Sequence, residues 1–187
     1  MAETADKRCC SRLWNLLNSP VSASAAHLIF WPVFLAGLSA DLWTKSYVFR
    51  WLSSLSYPRY TVFPGFFQFV LVENRGAAWG IAADRTIPLI LISLFAVVIV
   101  FAVFLLTSRP RAVVIFSLAL FAAGICGNLY DRIFNNGRVR DFLDFYYGDV
   151  HFPAFNIADS MLTVAVFLLI IVTVCSSKSP TEDNVRE

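Results

Sequence analysis

Apolar residues gather into four long runs along this chain, and the polar residues fall mostly between them. The first run extends from about Ala25 to Trp43, the second from Thr86 to Leu106, the third from Ala112 to about Tyr130 and the fourth from Asn156 to Cys175. A helix needs about 20 mostly apolar residues to cross a bilayer, and each run reaches that length. The second, TIPLILISLFAVVIVFAVFLL, carries no charge. Between the first two runs the pattern changes. Gln68 to Glu73 (QFVLVE) has strand-like composition, and Pro64-Gly65 ahead of it reads as a turn. Thr107 to Arg111 (TSRPR) leaves room only for a tight hairpin between the second and third helices. The pattern therefore predicts an all-α membrane protein, with four transmembrane helices within 25–175 and a small β-element and loop on one face. Polar tails, 1–24 and 176–187, flank this single domain. The first run follows Lys7, Arg8 and Arg12, and Leu38-Ser39-Ala40 resembles a cleavage site, as in a secretory signal peptide. Its apolar stretch is long for such a segment, so it is expected to be retained.

Composition supports the reading. Charged residues make up 15% of the chain and hydrophobic ones 58%, with mean hydropathy +0.65, whereas soluble domains are about a quarter charged. Lipid must be part of the solvent. A net charge of +2, with no basic run, gives no support to a nucleic-acid partner. The four cysteines, Cys9, Cys10, Cys126 and Cys175, have neither zinc-site nor disulfide-framework spacing, and neither metal nor cofactor is expected. With four spans, the loops after helices one and three share one side, and both termini share the other with TSRPR. Seven Lys and Arg lie on the termini side (Lys7, Arg8, Arg12, Arg109, Arg111, Lys178, Arg186) and eight on the long-loop side (Lys45, Arg50, Arg59, Arg75, Arg85, Arg132, Arg138, Arg140). This count does not decide the orientation, although the two arginines of the short TSRPR turn favour cytoplasmic termini.

Polar residues near membrane spans are costly and suggest function. Here they form five clusters, all on the long-loop side. Asp41 and Lys45 are four apart and can pair on one helix face, or snorkel at the interface beside Trp43. Asn74-Arg-Gly-Ala-Ala-Trp-Gly80 is a polar turn with small residues at Gly76, Ala77 and Gly80, where another chain can come close. Asn128 and Arg132 share a face at the end of helix three, below a stripe of Ala119, Ala123 and Gly127 suited to tight helix packing. Asp131 beside them reads as an interfacial charge pair with Arg132. Asp141 sits among Val139, Phe142 and Leu143. Burial there would raise its pKa, whereas pairing with Arg138 or Arg140 would lower it. Asn156 is a good N-cap with Asp159 at the capping-box position, so capping alone could account for both.

Two aspartates at one membrane face suggest shared-proton chemistry. A close carboxyl pair resists double ionisation, so one member can take a proton from water while the other donates to a carbonyl. Water then attacks a peptide bond without a metal or covalent intermediate. No HExxH is present, and His27 and His151 are the only histidines.

Taken in order, DLWTK (41–45), NRGAAWG (74–80), GNLYDR (127–132), VRDF (139–142) and FNIADS (155–160) resemble the motifs of lipoprotein signal peptidase, or signal peptidase II, a bacterial membrane aspartyl protease. The likeness covers roughly residues 25 to 175. It implies a catalytic pair of Asp141 and Asp159. It also implies that Asp41, Lys45, Asn74, Gly76, Ala77, Asn128, Arg132, Asn156 and Ala158 line the site. The implied substrate is a prolipoprotein signal peptide followed by a diacylglyceryl-cysteine, cut just before that cysteine, with membrane lipid as the other partner and the enzyme a monomer. The implied location is the bacterial inner membrane, with cytoplasmic termini and a periplasmic site. Two departures stand out. Arg140 precedes Asp141 where an apolar residue is more usual, and is expected to point outward. Trp79 replaces a smaller aromatic. A helical signal peptide would enter laterally, clamped by the β-element near 66–74 and the loop around 143–154. A transporter would instead carry polar residues at mid-membrane, which helix two lacks. A non-catalytic scaffold or degenerate homologue would have lost one aspartate, and both are present.

Overall fold

The computed structural model describes residues 19–76, 85–108 and 110–176. Among these the chain forms helices α1 (Ala23–Ser53), α2 (Thr86–Leu106), α3 (Ala112–Phe134) and α4 (Ile157–Ser176). It also forms strands β1 (Arg59–Phe63), β2 (Phe67–Asn74), β3 (Val139–Tyr147) and β4 (Val150–His151). All four helices are long and apolar enough to cross a membrane. The expectations for Cys9, Cys10 and the basic residues of the tails lie outside the described residues.

α3 is the central helix and packs against the other three. Its small residues allow this. Ala119, Ala122 and Ala123 are fully buried. A side chain at Gly124 would meet the Ala158 carbonyl oxygen at 2.7 Å, and one at Gly127 would strike the Asp41 carboxylate. In lipid, where apolar contact gives no net drive, such close approach is what holds helices together. α2 lies outermost. It buries Val100 and Phe104 and leaves Ile87, Leu91, Ile92, Phe95 and Val98 exposed, as a lipid-facing helix should. Phe104 stacks on Phe30 at 3.9 Å, which fastens α2 to α1.

α1 runs ten residues past the end that its apolar run suggests, to Ser53 rather than Trp43. The buried residues Asp41, Lys45, Val48 and Leu52 continue one helix face. Asp41 and Lys45 neutralise each other at 2.8 Å, so charge does not end the helix. Val48 and Leu52 then pack on Phe142 of the sheet. At ~1.5 Å per residue the helix is about 46 Å long, longer than the ~30 Å hydrocarbon layer is thick.

The β-element is larger than the sequence pattern indicates. β2 and its turn at Gly65 (φ +77°) appear as expected, but the sheet is four-stranded and antiparallel in the order β1-β2-β3-β4. The stretch read as a loop around 143–154 is largely β3 and β4. No simple alternation marks it, because Asp141 and Phe142 are buried side by side and the buried positions include the polar Asp141 and Asp144. β2 carries one extra residue against β3, since Phe69 faces Leu143 but Val72 faces Asp141. At the opposite end of the bundle, the Val21 amide donates to the Pro110 carbonyl at 2.8 Å, tying the start of α1 to the α2–α3 turn.

Gly124→Val should therefore loosen the α3–α4 contact. Overpacking of this kind costs ~1–3 kcal/mol, and thermal unfolding in detergent should show a lowered midpoint. An unchanged midpoint would mean that the two helices do not depend on this approach.

Candidate active site

Four elements meet at the sheet end of the bundle, each contributing a polar side chain. β3 presents Asp141, α4 presents Asp159, α3 presents Asn128 and β2 ends in Asn74. Local chain logic sets Asp159. The Asp159 amide donates to Asn156 Oδ1 at 3.0 Å, and the Asn156 amide donates to Asp159 Oδ2 at 3.1 Å. This is a reciprocal capping box, and it leaves Asp159 Oδ1 to accept from Asn128 Nδ2 at 2.8 Å. Capping and a place in the site are thus both realised by one residue.

Asn156 joins the two aspartates. Its Nδ2 donates to Asp141 Oδ1 at 2.7 Å and lies 3.1 Å from Asn128 Oδ1. Asn74 Nδ2 donates to the other Asp141 oxygen at 3.1 Å, while Asn74 Oδ1 accepts from the Gly76 amide at 2.9 Å. Arg132 Nη2 donates to the Gly76 carbonyl at 3.0 Å. Burial pushes the Asp141 carboxyl up to about 7, and the charge of Asp159 adds to the rise. The amide donors of Asn74 and Asn156 and the Lys45 ammonium pull the other way without prevailing.

The open question about Asp141 is answered by where the arginines go. Arg138 pairs with Glu73 across the sheet. Arg140 turns to Asp131, with its Nη2 donating to Oδ1 at 2.6 Å and its amide to Oδ2 at 2.9 Å. Arg140 thus points away from Asp141 but inward, not outward as expected. Nor is Asp131 an interfacial partner of Arg132. It is fully buried, and it faces both Arg140 and Lys45, the latter at 3.5 Å.

Asn74, Gly76, Asn128, Arg132, Asp141 and Asp159 line a cleft of about 1080 Å³, with Phe152, Phe155 and Leu162 among its apolar walls. Asp41, Lys45, Asn156 and Ala158 do not line it. They stand behind its polar wall: Lys45 Nζ donates to Asn128 Oδ1 at 2.9 Å, and the Ala158 amide donates to Asp41 Oδ1 at 2.9 Å. Ala77, Trp79 and Gly80 lie outside the described residues. Sequence reasoning missed the Asp131–Arg140 pair. It also missed a second buried group in which Gln68 Nε2 donates to Asp144 at 2.5 Å and His151 Nδ1 lies 2.9 Å from the same carboxylate. The signal available was polar residues at inward strand positions, which appears only once β3 is placed.

The model of the family described as signal peptidase (SPase) II matches residues 33–175. The chain belongs to the signal peptidase II family. A lipoprotein signal peptidase of Sulfurihydrogenibium sp. (strain YO3AOP1) is 43% identical over 136 residues, which cover 70% of this chain and 81% of that protein. One from Francisella tularensis subsp. novicida (strain U112) is 37% identical over 148 residues, 75% and 88% of the two chains. A solved structure of a bacterial membrane enzyme superposes with TM-score 0.74 at 27% identity, covering 90% of this chain and 99% of that one. In this signal peptidase II chain both aspartates reach one cleft.

A carboxyl with pKa about 7 keeps its proton below that pH and loses it above. A pair that works with one shared proton should therefore lose activity as pH rises through about 7. Asn74→Ala removes a donor that favours the ionised form, so the alkaline limb of the kcat profile should move to higher pH. A limb that stays in place or moves down would contradict this account of Asp141.

Proposed function

We propose that this chain, an aspartic peptidase of the signal peptidase II family, removes signal peptides from diacylglyceryl-modified prolipoproteins by water attack between Asp141 and Asp159. The observation that carries the reading is the convergence of two carboxyls on one cleft, with one of them raised to about 7 by burial and by its neighbour. The shared proton resides on Asp141, the more buried member, at 2% exposure. Ionised Asp159 takes a proton from water as its oxygen attacks the carbonyl carbon before the cysteine. Asp141 gives its proton to the carbonyl oxygen. The tetrahedral intermediate then collapses, the C–N bond breaks, the new amine leaves with a proton from Asp159, and Asp141 recovers its own. Asn128, Asn156 and Asn74 hold the two carboxyls in place, and Arg132 and Gly76 orient the substrate backbone.

The signal peptide approaches along α4, where Leu162 and Thr163 extend the cleft towards lipid. We also propose that the enzyme acts as a monomer. The protein is a multi-pass inner-membrane protein. We place its termini in the cytoplasm and its cleft on the periplasmic side, which puts the arginine-bearing α2–α3 turn inside.

Purified wild-type protein in detergent should cleave a diacylglyceryl-modified prolipoprotein. Asp141→Asn and Asp159→Asn, shown folded by circular dichroism, should each lose ~10²–10⁴-fold in rate. Survival of either activity would remove that residue from the pair. In a chain with its native cysteines replaced, Tyr147→Cys on the exposed sheet should react with a membrane-impermeant maleimide added to spheroplasts, and Ser108→Cys should not. The reverse pattern would invert the orientation.

A further inference from the structure

A second cavity, of about 520 Å³, lies on the sheet next to the cleft. It is lined by Tyr57, Pro58 and Arg59 ahead of and at the start of β1, by Val70 and Leu71 of β2, and by Asp144 and His151 of β3 and β4. Val72, Phe152, Pro153 and Ala154 line both cavities, so the two form one groove. One side of that groove is β2, from Val70 to Asn74, and the other is the segment 152–154.

The strand register leaves an open backbone rail beside this groove, on the side bounded by Tyr57, Pro58 and Arg59. β1 pairs with β2 only between Phe67 and Val70, with Arg59 opposite Val70. Leu71 to Asn74 therefore run on past the start of β1 with that edge uncovered by a described strand. Such an edge is a template for an added extended chain. It ends at Asn74, whose side chain holds Asp141. The register shift between Phe69 and Val72 falls beside Val70 and Leu71, which line the second cavity. The chemistry of that cavity suits a polar peptide. Arg59 is exposed and lies over the Tyr57 ring at 5.5 Å, while across the groove Gln68 and His151 fix the Asp144 carboxylate.

We propose that this second cavity binds the extended segment of the prolipoprotein that follows the diacylglyceryl-cysteine. The inference rests on cleavage at Asp141 and Asp159. Of the two halves of the substrate, the apolar signal peptide belongs with α4 and lipid. The half beyond the cut is polar and must leave over the sheet, where this groove is the continuation of the cleft. The β2 edge reads its backbone, which tolerates many sequences, and the exposed Arg59 accepts acidic or polar side chains.

The test compares two synthetic diacylglyceryl substrates that share a signal peptide, one ending at the cysteine amide and one continuing for six residues. Wild type, Arg59→Ala and Val70→Trp, the last of which fills the cavity, are assayed in detergent. Wild type should show kcat/KM about tenfold higher for the longer substrate, with the difference in KM. Both variants should bring the ratio of long to short towards one. A wild-type ratio of one would overturn the proposal, as would variants that slow both substrates equally. If Val70→Trp fails to fold, Arg59→Ala at its exposed position still decides. Cleavage of neither substrate by folded wild type would overturn the underlying reaction instead, an outcome distinct from an unchanged ratio.

Discussion

The ammonium group of Lys45 is the interaction on which the rest of the protein depends. It is fully buried, 2.8 Å from Asp41 and 3.5 Å from Asp131, and it donates to Asn128 at 2.9 Å. Burying one ion without a partner costs several kcal/mol, and a buried group becomes tolerable only when charges and hydrogen bonds are nearly all satisfied. Lys45 meets that condition by drawing two carboxylates and one amide from two helices to one point. Asp41 then accepts from the Ala158 amide, which locates the start of α4. Asp131 grips Arg140, which locates β3. The two elements that carry the aspartates are thus both anchored to the same cation, although neither aspartate hydrogen-bonds to it.

This arrangement explains why a helix bundle can hold a carboxyl pair at fixed separation. Each carboxyl is held by amides: Asn74 and Asn156 for Asp141, and Asn128 together with the Asn156 backbone for Asp159. Amides donate without carrying charge, so they orient the carboxyls without forcing both to ionise. Had Arg140 faced Asp141, its charge would have favoured the ionised Asp141 carboxylate. The chain sends that arginine to Asp131 instead.

Much of this was legible in the sequence, for identifiable reasons. Spanning helices announce themselves by uninterrupted apolar length, and α2 and α4 fall where their runs do. The cap at Asn156 and the strand at Gln68 follow from local rules. What escaped was the part built from long-range polar contacts. β3 looks like a charged loop because Asp141, Arg140 and Asp144 interrupt its alternation, and their partners lie on α3, β2 and β4. The C-terminal third of α1 was missed because Asp41 and Lys45 look like an exit from the membrane until each is seen to neutralise the other. For the same reason, residues assigned to the cleft wall, such as Asp41 and Lys45, prove to be its support.

The self-paired charges of α1 also bear on how the chain is made. Asp41 precedes Ala158, whose amide donates to its Oδ1, by 117 residues. At ribosomal speeds of 5–20 residues per second, that interval is on the order of ten seconds. Throughout it α1 must reside in the translocon or the bilayer without α4, and until Phe134 is made without a complete α3. A lone lysine or aspartate would invite the segment to slip back into water, but a neutral pair one helical turn apart lowers that penalty. The nascent protein can therefore wait in the membrane with its candidate site unassembled, because Asp159 joins Asp141 and Asn128 only when the fourth helix emerges.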